Sequence, residues 1–171
     1  MNIAEVIDLY TQLNNLGIEL WLDGGWGVDA LLGVQMRPHS DVDIVVQHKD
    51  VSKLRELLEA QGYKDVPRDD TSDWNFVLGD NDGRLVDVHV VTLDAEGNGL
   101  YGPPERGVMY PAGSLTGTGV LAGHTVKCIS AEYMVKFHTG YKLRETDIKD
   151  VSALCAHFGI DFPEEYASLK K

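Results

Sequence analysis

The first half of the chain alternates between helical and strand-like spacing of apolar residues. Apolar positions three or four residues apart, ending at Gly17, predict a first amphipathic helix. A short apolar strand over residues 18–22 should follow and break at Asp23-Gly24-Gly25. A second helix is expected over residues 26–32. Residues 41–47 contain several β-branched side chains and predict a strong strand.

The second half contains clear elements around one irregular stretch. The predicted elements are a helix capped by Asp50 and ended by Gly62, a β-hairpin over residues 74–79 and 84–91, a strand over 125–129, a helix capped by Ser130 that extends to about residue 138, and a helix over 145–158. Residues 94–120 are rich in glycine and proline and predict irregular structure or short edge strands. This order favours a mixed β-sheet covered by helices, with a small helical part at the C-terminal end.

Composition narrows the class of protein. The 171 residues are 43% apolar and 25% charged, as in an ordinary globular domain. A formal net charge of −12 gives no general attraction for nucleic acids or anionic membranes. Two cysteines are too few for a disulfide framework or a cysteine-based zinc site. With no signal-like start and no long apolar run, we expect a soluble cytoplasmic protein of mixed α and β structure.

Asp41 and Asp43 open the strongest predicted strand. Residues two apart on a strand point to the same face, so the two carboxylates should lie close together and repel each other. A divalent cation relieves that repulsion, and Mg²⁺ prefers carboxylate oxygens and substrate phosphates. The alternative is two surface acids, as expected for Asp80 and Asp82 in the predicted turn.

Asp87 lies in an unusually apolar strand, on the same face as His89. Such a strand should be central in the sheet, where a carboxylate needs a partner. Asp87 could complete a three-carboxylate metal site or act as a general base towards a hydroxyl. The alternative is a salt bridge to Arg37 or Arg84, and His89 could be a structural histidine.

Gly24 and Gly25 separate a predicted strand from a predicted helix. Glycines let the backbone approach a ligand closely, and a helix N-terminus offers free N–H groups to phosphate. The stretch matches neither a Walker loop nor a dinucleotide-binding fingerprint. A plain tight turn is the alternative.

The combination of these features resembles the nucleotidyltransferase superfamily, which includes DNA polymerase β and antibiotic adenylyltransferases. The closer resemblance is to the small lincosamide nucleotidyltransferases, over about residues 5–155. The aminoglycoside 2''-adenylyltransferases are similar in the first two motifs. The matching motifs are residues 21–29, Arg37-x-His39-x-Asp41-x-Asp43, residues 86–89, and residues 137–141 followed by 145–147. Residues 64–76 and 97–120 match less well.

The resemblance implies an α+β nucleotidyltransferase fold, with a catalytic core over residues 1–129 and C-terminal helices over 130–171. It implies transfer of AMP from ATP, with Mg²⁺, to a hydroxyl of a small cationic antibiotic, most of all a lincosamide. The acidic stretch 61–98, with nine acids against three bases, suits a cationic acceptor. The resemblance also implies a homodimer.

The resemblance implies that Asp41, Asp43 and Asp87 are metal ligands and that Asp87 is also the general base. It implies that the nucleotide is bound by Gly24, Gly25, Arg37 and His39. It implies that the antibiotic is bound by His89, His138 and Tyr141. The alternatives are an aminoglycoside adenylyltransferase, a protein-modifying nucleotidyltransferase, a non-catalytic nucleotide-binding module or a metal-dependent hydrolase.

Overall fold

A computed structural model describes residues 1–167, which form one nine-stranded mixed sheet with helices on both faces. The helices are α1 (Ile3–Asn15), α2 (Gly24–Leu32), α3 (Val51–Ala60), α4 (Ala131–Phe137), α5 (Glu145–Phe158) and α6 (Glu164–Ala167). The strands are β1 (Leu20–Asp23), β2 (Asp41–Gln47), β3 (Lys64–Asp65), β4 (Asn75–Gly79), β5 (Leu85–Leu93), β6 (Gly99–Tyr101), β7 (Met109–Tyr110), β8 (Gly117–Leu121) and β9 (His124–Cys128). The predicted mixed sheet covered by helices is therefore confirmed.

The strand order places the predicted acidic strands next to each other. The main path is β3-β4-β5-β2-β1-β9-β8, with β6 paired to β5 and β7 to β6. β2 is antiparallel to β1 and parallel to β5. β5 lies between β4 and β2, so the prediction that the strand of Asp87 is central is correct.

Two apolar cores cover the two faces of this sheet. α1 and α3 pack with Val42, Ile44 and Val46 of β2 in the first core. α4, α5 and α6 pack in the second core, which contains Val45. Because side chains alternate along a strand, Asp41 and Asp43 lie on the same side of the sheet as the second core.

Helix starts are where the sequence predictions need correction. α2 begins at Gly24, not at Trp26, because the Asp23 carboxylate accepts a hydrogen bond from the Gly24 N–H at 2.8 Å and caps the helix. Asp50 does not cap α3 with its side chain, since it ends a 3₁₀ turn and its own backbone is in the α region. The Ser130 hydroxyl, predicted as a cap, instead donates to the Gly113 carbonyl at 2.9 Å.

The glycine- and proline-rich stretch forms β6, β7, two 3₁₀ turns and the start of β8. The indole N–H of Trp21 donates to the Leu115 carbonyl at 2.7 Å and ties this stretch to β1. The short elements β3 and α6 were not predicted. Residues 168–171, the end of the expected C-terminal helical part, lie outside the described residues. Within residues 1–167, no helix is both long enough and apolar enough to cross a membrane.

Candidate active site

Three acids form a row across three neighbouring strands. The pairing of β1 with β2 sets Asp23 opposite Asp43, and the pairing of β2 with β5 sets Asp43 opposite Asp87. Each acid belongs to a strand that is largely apolar and buried. The sheet therefore holds the three carboxylates side by side on the face that carries the second core.

Asp43, Asp87 and His89 form a group of potential metal ligands. One ligand atom from each lies within 4.8 Å of the other two. The His89 Nε2 atom is 3.8 Å from a carboxylate oxygen of Asp43 and 3.8 Å from Asp87 Oδ1. Asp87 Oδ1 is buried and has no hydrogen-bond partner among residues 1–167. Asp41 is outside this group, one pleat from Asp43, and its Oδ1 accepts from the Ser40 hydroxyl at 3.0 Å.

The electrostatics of the row reflect burial and mutual repulsion. Burial raises the pKa of Asp23 and of Asp87, and the Asp43 carboxylate acts in the same direction on both. Burial alone would lower the pKa of His89, but the neighbouring carboxylates of Asp43, Asp23 and Asp87 outweigh it and raise that pKa above 6.5. An added cation would therefore be favoured at this point of the molecule.

The other oxygen of Asp87 has a cationic partner. Arg68 Nη1 donates to Asp87 Oδ2 at 3.0 Å. The salt bridges considered from the sequence, to Arg37 or Arg84, are not formed: Arg37 pairs with Asp150 at 2.7 Å, and Arg84 pairs with acids of its own turn. The partner of Asp87 comes instead from the loop between β3 and β4.

The start of α2 lies directly against the site. Gly24 has a φ of +53°, which favours glycine, and a Cβ atom there would overlap the Asp43 carboxylate. A Cβ atom on Gly25 would overlap the imidazole of His39. Both glycines are therefore required for the close approach of the helix N-terminus to these side chains.

Arg37 and His39 line the same cavity, and each is held by an acid from a helix. His39 Nε2 lies 2.5 Å from a carboxylate oxygen of Asp29 in α2, and both side chains are buried. The pair between Arg37 and Asp150 joins the loop before β2 to α5. These bonds fix the two side chains beside Gly25.

The site opens into a cavity of about 690 Å³, the size of a small-molecule site. Acids from β1 and β2 line one wall, and aromatic and apolar side chains line another. The apolar lining residues are Tyr101, Val108, Met109, Tyr110, Phe137 and Tyr141. Val108 and Met109 are 45% and 43% exposed, so their apolar surface is available to a ligand. His138 also lines the cavity and is held through its Nδ1 atom by the Met134 carbonyl at 2.7 Å.

Comparison with known proteins identifies the family. The family model for aminoglycoside-2''-adenylyltransferase matches residues 5–154, which is most of the chain. The protein belongs to the aminoglycoside-2''-adenylyltransferase family.

Two relatives of this chain are named after different classes of antibiotic. A lincosamide resistance protein of Staphylococcus haemolyticus is 32% identical over 149 residues, which cover 87% of this chain and 89% of that protein. A 2''-aminoglycoside nucleotidyltransferase of Escherichia coli is 27% identical over 118 residues, which cover 69% of this chain and 62% of that protein.

Solved structures agree with the family assignment. The lincomycin-bound lincosamide antibiotic adenylyltransferase LnuA matches with a TM-score of 0.79 and 30% identity, over 94% of this chain and 99% of that chain. ANT(2'')-Ia in complex with adenylyl-2''-tobramycin matches with a TM-score of 0.74, over 98% of this chain and 92% of that chain. Its identity of 20% shows the shared nucleotidyltransferase fold alone.

Sequence reasoning missed several residues of this adenylyltransferase-family site. The sequence motif predicts Asp23 only as part of the glycine turn, although its position at the end of an apolar strand is a usable signal. The hydroxyl of Tyr110 donates to Asp23 at 3.1 Å, and the Tyr101 hydroxyl lies 3.3 Å from His89 Nδ1. Both tyrosines lie in the glycine- and proline-rich stretch, where no periodicity indicates that they return to the site.

Proposed function

We propose that this chain transfers AMP from ATP to a hydroxyl of a small cationic antibiotic, with a lincosamide as the first candidate. The observation that carries the proposal is the group of Asp43, Asp87 and His89, of which Asp43 and His89 line a cavity at the start of α2 and Asp87 lies directly beside them. The 30% identity to LnuA over nearly the whole chain supports both the reaction and the acceptor class.

The donor set fits a divalent cation. Asp43 and Asp87 would hold Mg²⁺, with Asp41 one pleat away and His89 as a further donor. The buried Oδ1 atom of Asp87 has no hydrogen-bond partner among the described residues, and a cation would supply a partner. When bound, the cation would offset the negative charge of the phosphates as pyrophosphate leaves.

The phosphates of ATP fit the start of α2. The first N–H groups of a helix have no partner within the helix, and its dipole favours an anion there. Because Gly25 has no Cβ atom, the start of α2 lies directly against His39 and Arg37, and all three line the same cavity. The Arg37 side chain is 27% exposed and lines the cavity, so it can reach a phosphate oxygen while Asp150 orients it. We assign His39 a weaker contact, since Asp29 holds one of its nitrogens.

Asp87 is the proposed general base. Its Oδ1 atom would accept the proton of the acceptor hydroxyl as that oxygen attacks the α-phosphate of ATP. Burial raises the pKa of Asp87, which makes the carboxylate a stronger base. A carboxylate bound to metal is a poorer base, so the two roles compete. We favour the base role for Asp87 and the ligand role for Asp43.

The two kinds of cavity wall fit an amphipathic cation. The acid row would attract a protonated amine, and the exposed Val108 and Met109 would cover an apolar part of the acceptor. Tyr141 and His138 lie on the same cavity and are proposed acceptor contacts. A lincosamide has both an amine and an apolar part, which favours it over the more polar aminoglycosides.

One assay tests the function directly. The purified protein is incubated with Mg²⁺, each of the four nucleoside triphosphates, and lincomycin or kanamycin, and the products are analysed by mass spectrometry. We expect lincomycin to gain one adenylyl group from ATP. Nucleotide hydrolysis with neither antibiotic modified would contradict the proposal and favour a hydrolase.

An aminoglycoside is the second candidate acceptor. The matching family model and the 27% identical relative from Escherichia coli favour it. Adenylylation of kanamycin without modification of lincomycin would decide for this candidate. The same assay therefore separates the two acceptor classes.

We further infer that the protein forms a homodimer. Phe158 and Val120 are each 42% exposed, and β8, which carries Val120, is the last strand on its side of the main sheet path. A two-fold dimer is the commonest way to cover such surfaces. Light scattering at micromolar concentration should give twice the 18.9 kDa of one chain, and a monomer mass would contradict the inference.

A further inference from the structure

The two oxygens of Asp87 lie in different surroundings. Oδ2 accepts the single hydrogen bond from Arg68, whereas Oδ1 is buried, has no partner among the described residues and lies 3.8 Å from His89 Nε2. The terminal torsion of an aspartate is broad, so the carboxylate of Asp87 has no fixed orientation of its own. The bond from Arg68 therefore fixes the plane of the carboxylate, so that one oxygen is held by Arg68 and the other lies beside His89, which lines the cavity.

Arg68 is anchored where it can perform this role. Its backbone N–H donates to the Thr71 hydroxyl at 2.8 Å, and its carbonyl accepts from the Thr71 N–H at 3.1 Å, which closes a turn. Two residues earlier, the Val66 N–H donates to the Val77 carbonyl at 2.9 Å. Val77 is the register partner of Asp87, so the loop is tied to the neighbouring strand at the same level.

We infer that Arg68 is a positioning residue for nucleotidyl transfer: it holds Oδ2 of Asp87 so that Oδ1 faces the acceptor hydroxyl. This inference depends on the proposed function, and it names a residue in the stretch 64–76, where the resemblance to known families is weak. Without Arg68, the repulsion from Asp43 and Asp41 would act on a carboxylate that is free to turn away.

The ion pair also serves the fold. The side chain of Arg68 is 39% exposed but that of Asp87 is only 13% exposed, so loss of Arg68 would leave a mostly buried carboxylate without its cationic partner and should cost some stability. Positioning a reacting group, in addition, strongly affects rate, since small misplacements cost large factors. The two roles are separated by measuring turnover on protein that circular dichroism shows to be folded.

Arg55 provides a matched control. It donates through Nη1 to the Asp65 carboxylate at 3.0 Å, the same distance as in the Arg68 pair, and its side chain is 29% exposed. It has no part in the proposed site. Arg55→Met and Arg68→Met therefore each remove an arginine–aspartate hydrogen bond. The bond of Arg55 lies away from the proposed site, and that of Arg68 lies beside it.

The kinetic test compares Arg68→Met, Arg68→Lys and Arg55→Met with the wild type under saturating Mg²⁺. We expect Arg68→Met to lower kcat by about 10- to 100-fold, with KM for ATP and acceptor within about threefold. Arg68→Lys should recover part of the loss, and Arg55→Met should match the wild type. An unchanged kcat in Arg68→Met, or a raised acceptor KM with unchanged kcat, would overturn the inference.

A second measurement does not depend on activity. Crystal structures of the wild type and Arg68→Met report the orientation of the Asp87 carboxylate. We expect one orientation in the wild type and a rotated or divided carboxylate in the variant. An unchanged single orientation in the variant would overturn the positioning role. If the carboxylate rotates but the wild type transfers nothing, the positioning role holds and the proposed function has failed.

Discussion

Three carboxylates in this site lie close enough together to repel one another. Asp23, Asp43 and Asp87 lie side by side, although each carboxylate raises the cost of ionising the next. Two partial compensations are built in: Tyr110 donates to Asp23, and Arg68 donates to Asp87. Asp43 lies 3.8 Å from His89 Nε2, and it is the carboxylate to which we assign the metal-ligand role.

Asp43→Asn is expected to abolish metal-dependent transfer and leave the fold intact. The substitution keeps the shape of the side chain but removes the charge that holds the cation, so turnover should fall by about 10³-fold or more. Asp82→Asn is the control, because Asp82 belongs to the other Asp-x-Asp pair and its side chain is 78% exposed. Activity is measured against Mg²⁺ concentration, with circular dichroism to check folding. Full activity of Asp43→Asn would refute the metal assignment.

Gly25→Ala is expected to lose most activity and some stability. The new Cβ would overlap the buried His39 ring and crowd Arg37, so both side chains would be displaced from the start of α2. Gly123→Ala is the informative comparison, since Gly123 has open space around it but a φ of +84°. It should lose about 1 kcal/mol of unfolding free energy and keep its turnover. KM for ATP and urea unfolding measure the two effects, and equal ATP binding in both variants would be inconsistent with this role of Gly25.

A residue of the site could be predicted from the sequence where its position depends on a pattern of nearby residues in the chain. The two-residue period of a strand correctly put Asp87 and His89 on one face. The pairing of Arg68 with Asp87 had no such signal, because it depends on which strands are neighbours and on a loop that crosses between them. The same holds for Arg37, whose partner Asp150 is 113 residues away in the chain.

Among the secondary-structure elements, α5 has a buried acid in its first turn. Asp147 is 1% exposed in its side chain and accepts from the Arg144 backbone N–H at 2.7 Å and from its guanidinium at 2.9 Å. Burial alone would raise the pKa of Asp147, but the hydrogen bonds from Arg144 outweigh it and hold that pKa below 3.8. A lowered pKa in the folded state stabilises the fold above the unfolded-state pKa, and the gain is lost as pH falls through the folded-state pKa.

Asp147→Asn should therefore lower the free energy of unfolding by about 1–3 kcal/mol at pH 7, because it removes a charge-assisted pair of hydrogen bonds. The difference from the wild type should shrink when unfolding by urea is repeated below about pH 4. Glu145→Gln is the control, since Glu145 is 82% exposed in the same helical turn, and it should change little at either pH. An equal difference at both pH values would show that the charge of Asp147 is not what stabilises α5.

Regular elements were easier to predict than short ones, for a physical reason. β2 and α5 match the predicted bounds because each carries a sustained period of apolar residues. β6 and β7 have only three and two residues, so they contain no period, and pairing with β5 is what makes them strands. Those two short strands place Tyr101 and Tyr110 at the site, which is why these two aromatic lining residues could not be predicted from the sequence.

At the scale of the whole molecule, the net charge of −12 acts together with the site. Asp23 and Asp43 of the acid row line the cavity, where the surrounding protein focuses the field of the carboxylates. A cationic acceptor should be attracted to this cavity, and a nucleoside triphosphate should be repelled except where the cation, Arg37 and the start of α2 receive it. Salt screens both effects, since the Debye length falls from about 14 Å to about 4 Å between about 0.05 M and 0.5 M salt.

The two substrates should therefore respond to salt in opposite directions. Across that range we expect KM for lincomycin to rise by about three- to tenfold, because screening weakens the attraction between its amine and the acids. KM for ATP, measured with saturating Mg²⁺, should stay constant or fall. An N-acylated, uncharged acceptor analogue is the matched control, and its KM should change little. If the charged acceptor and its neutral analogue show the same salt dependence, the acidic surface does not select the acceptor, and recognition must come from the apolar wall formed around Val108 and Met109.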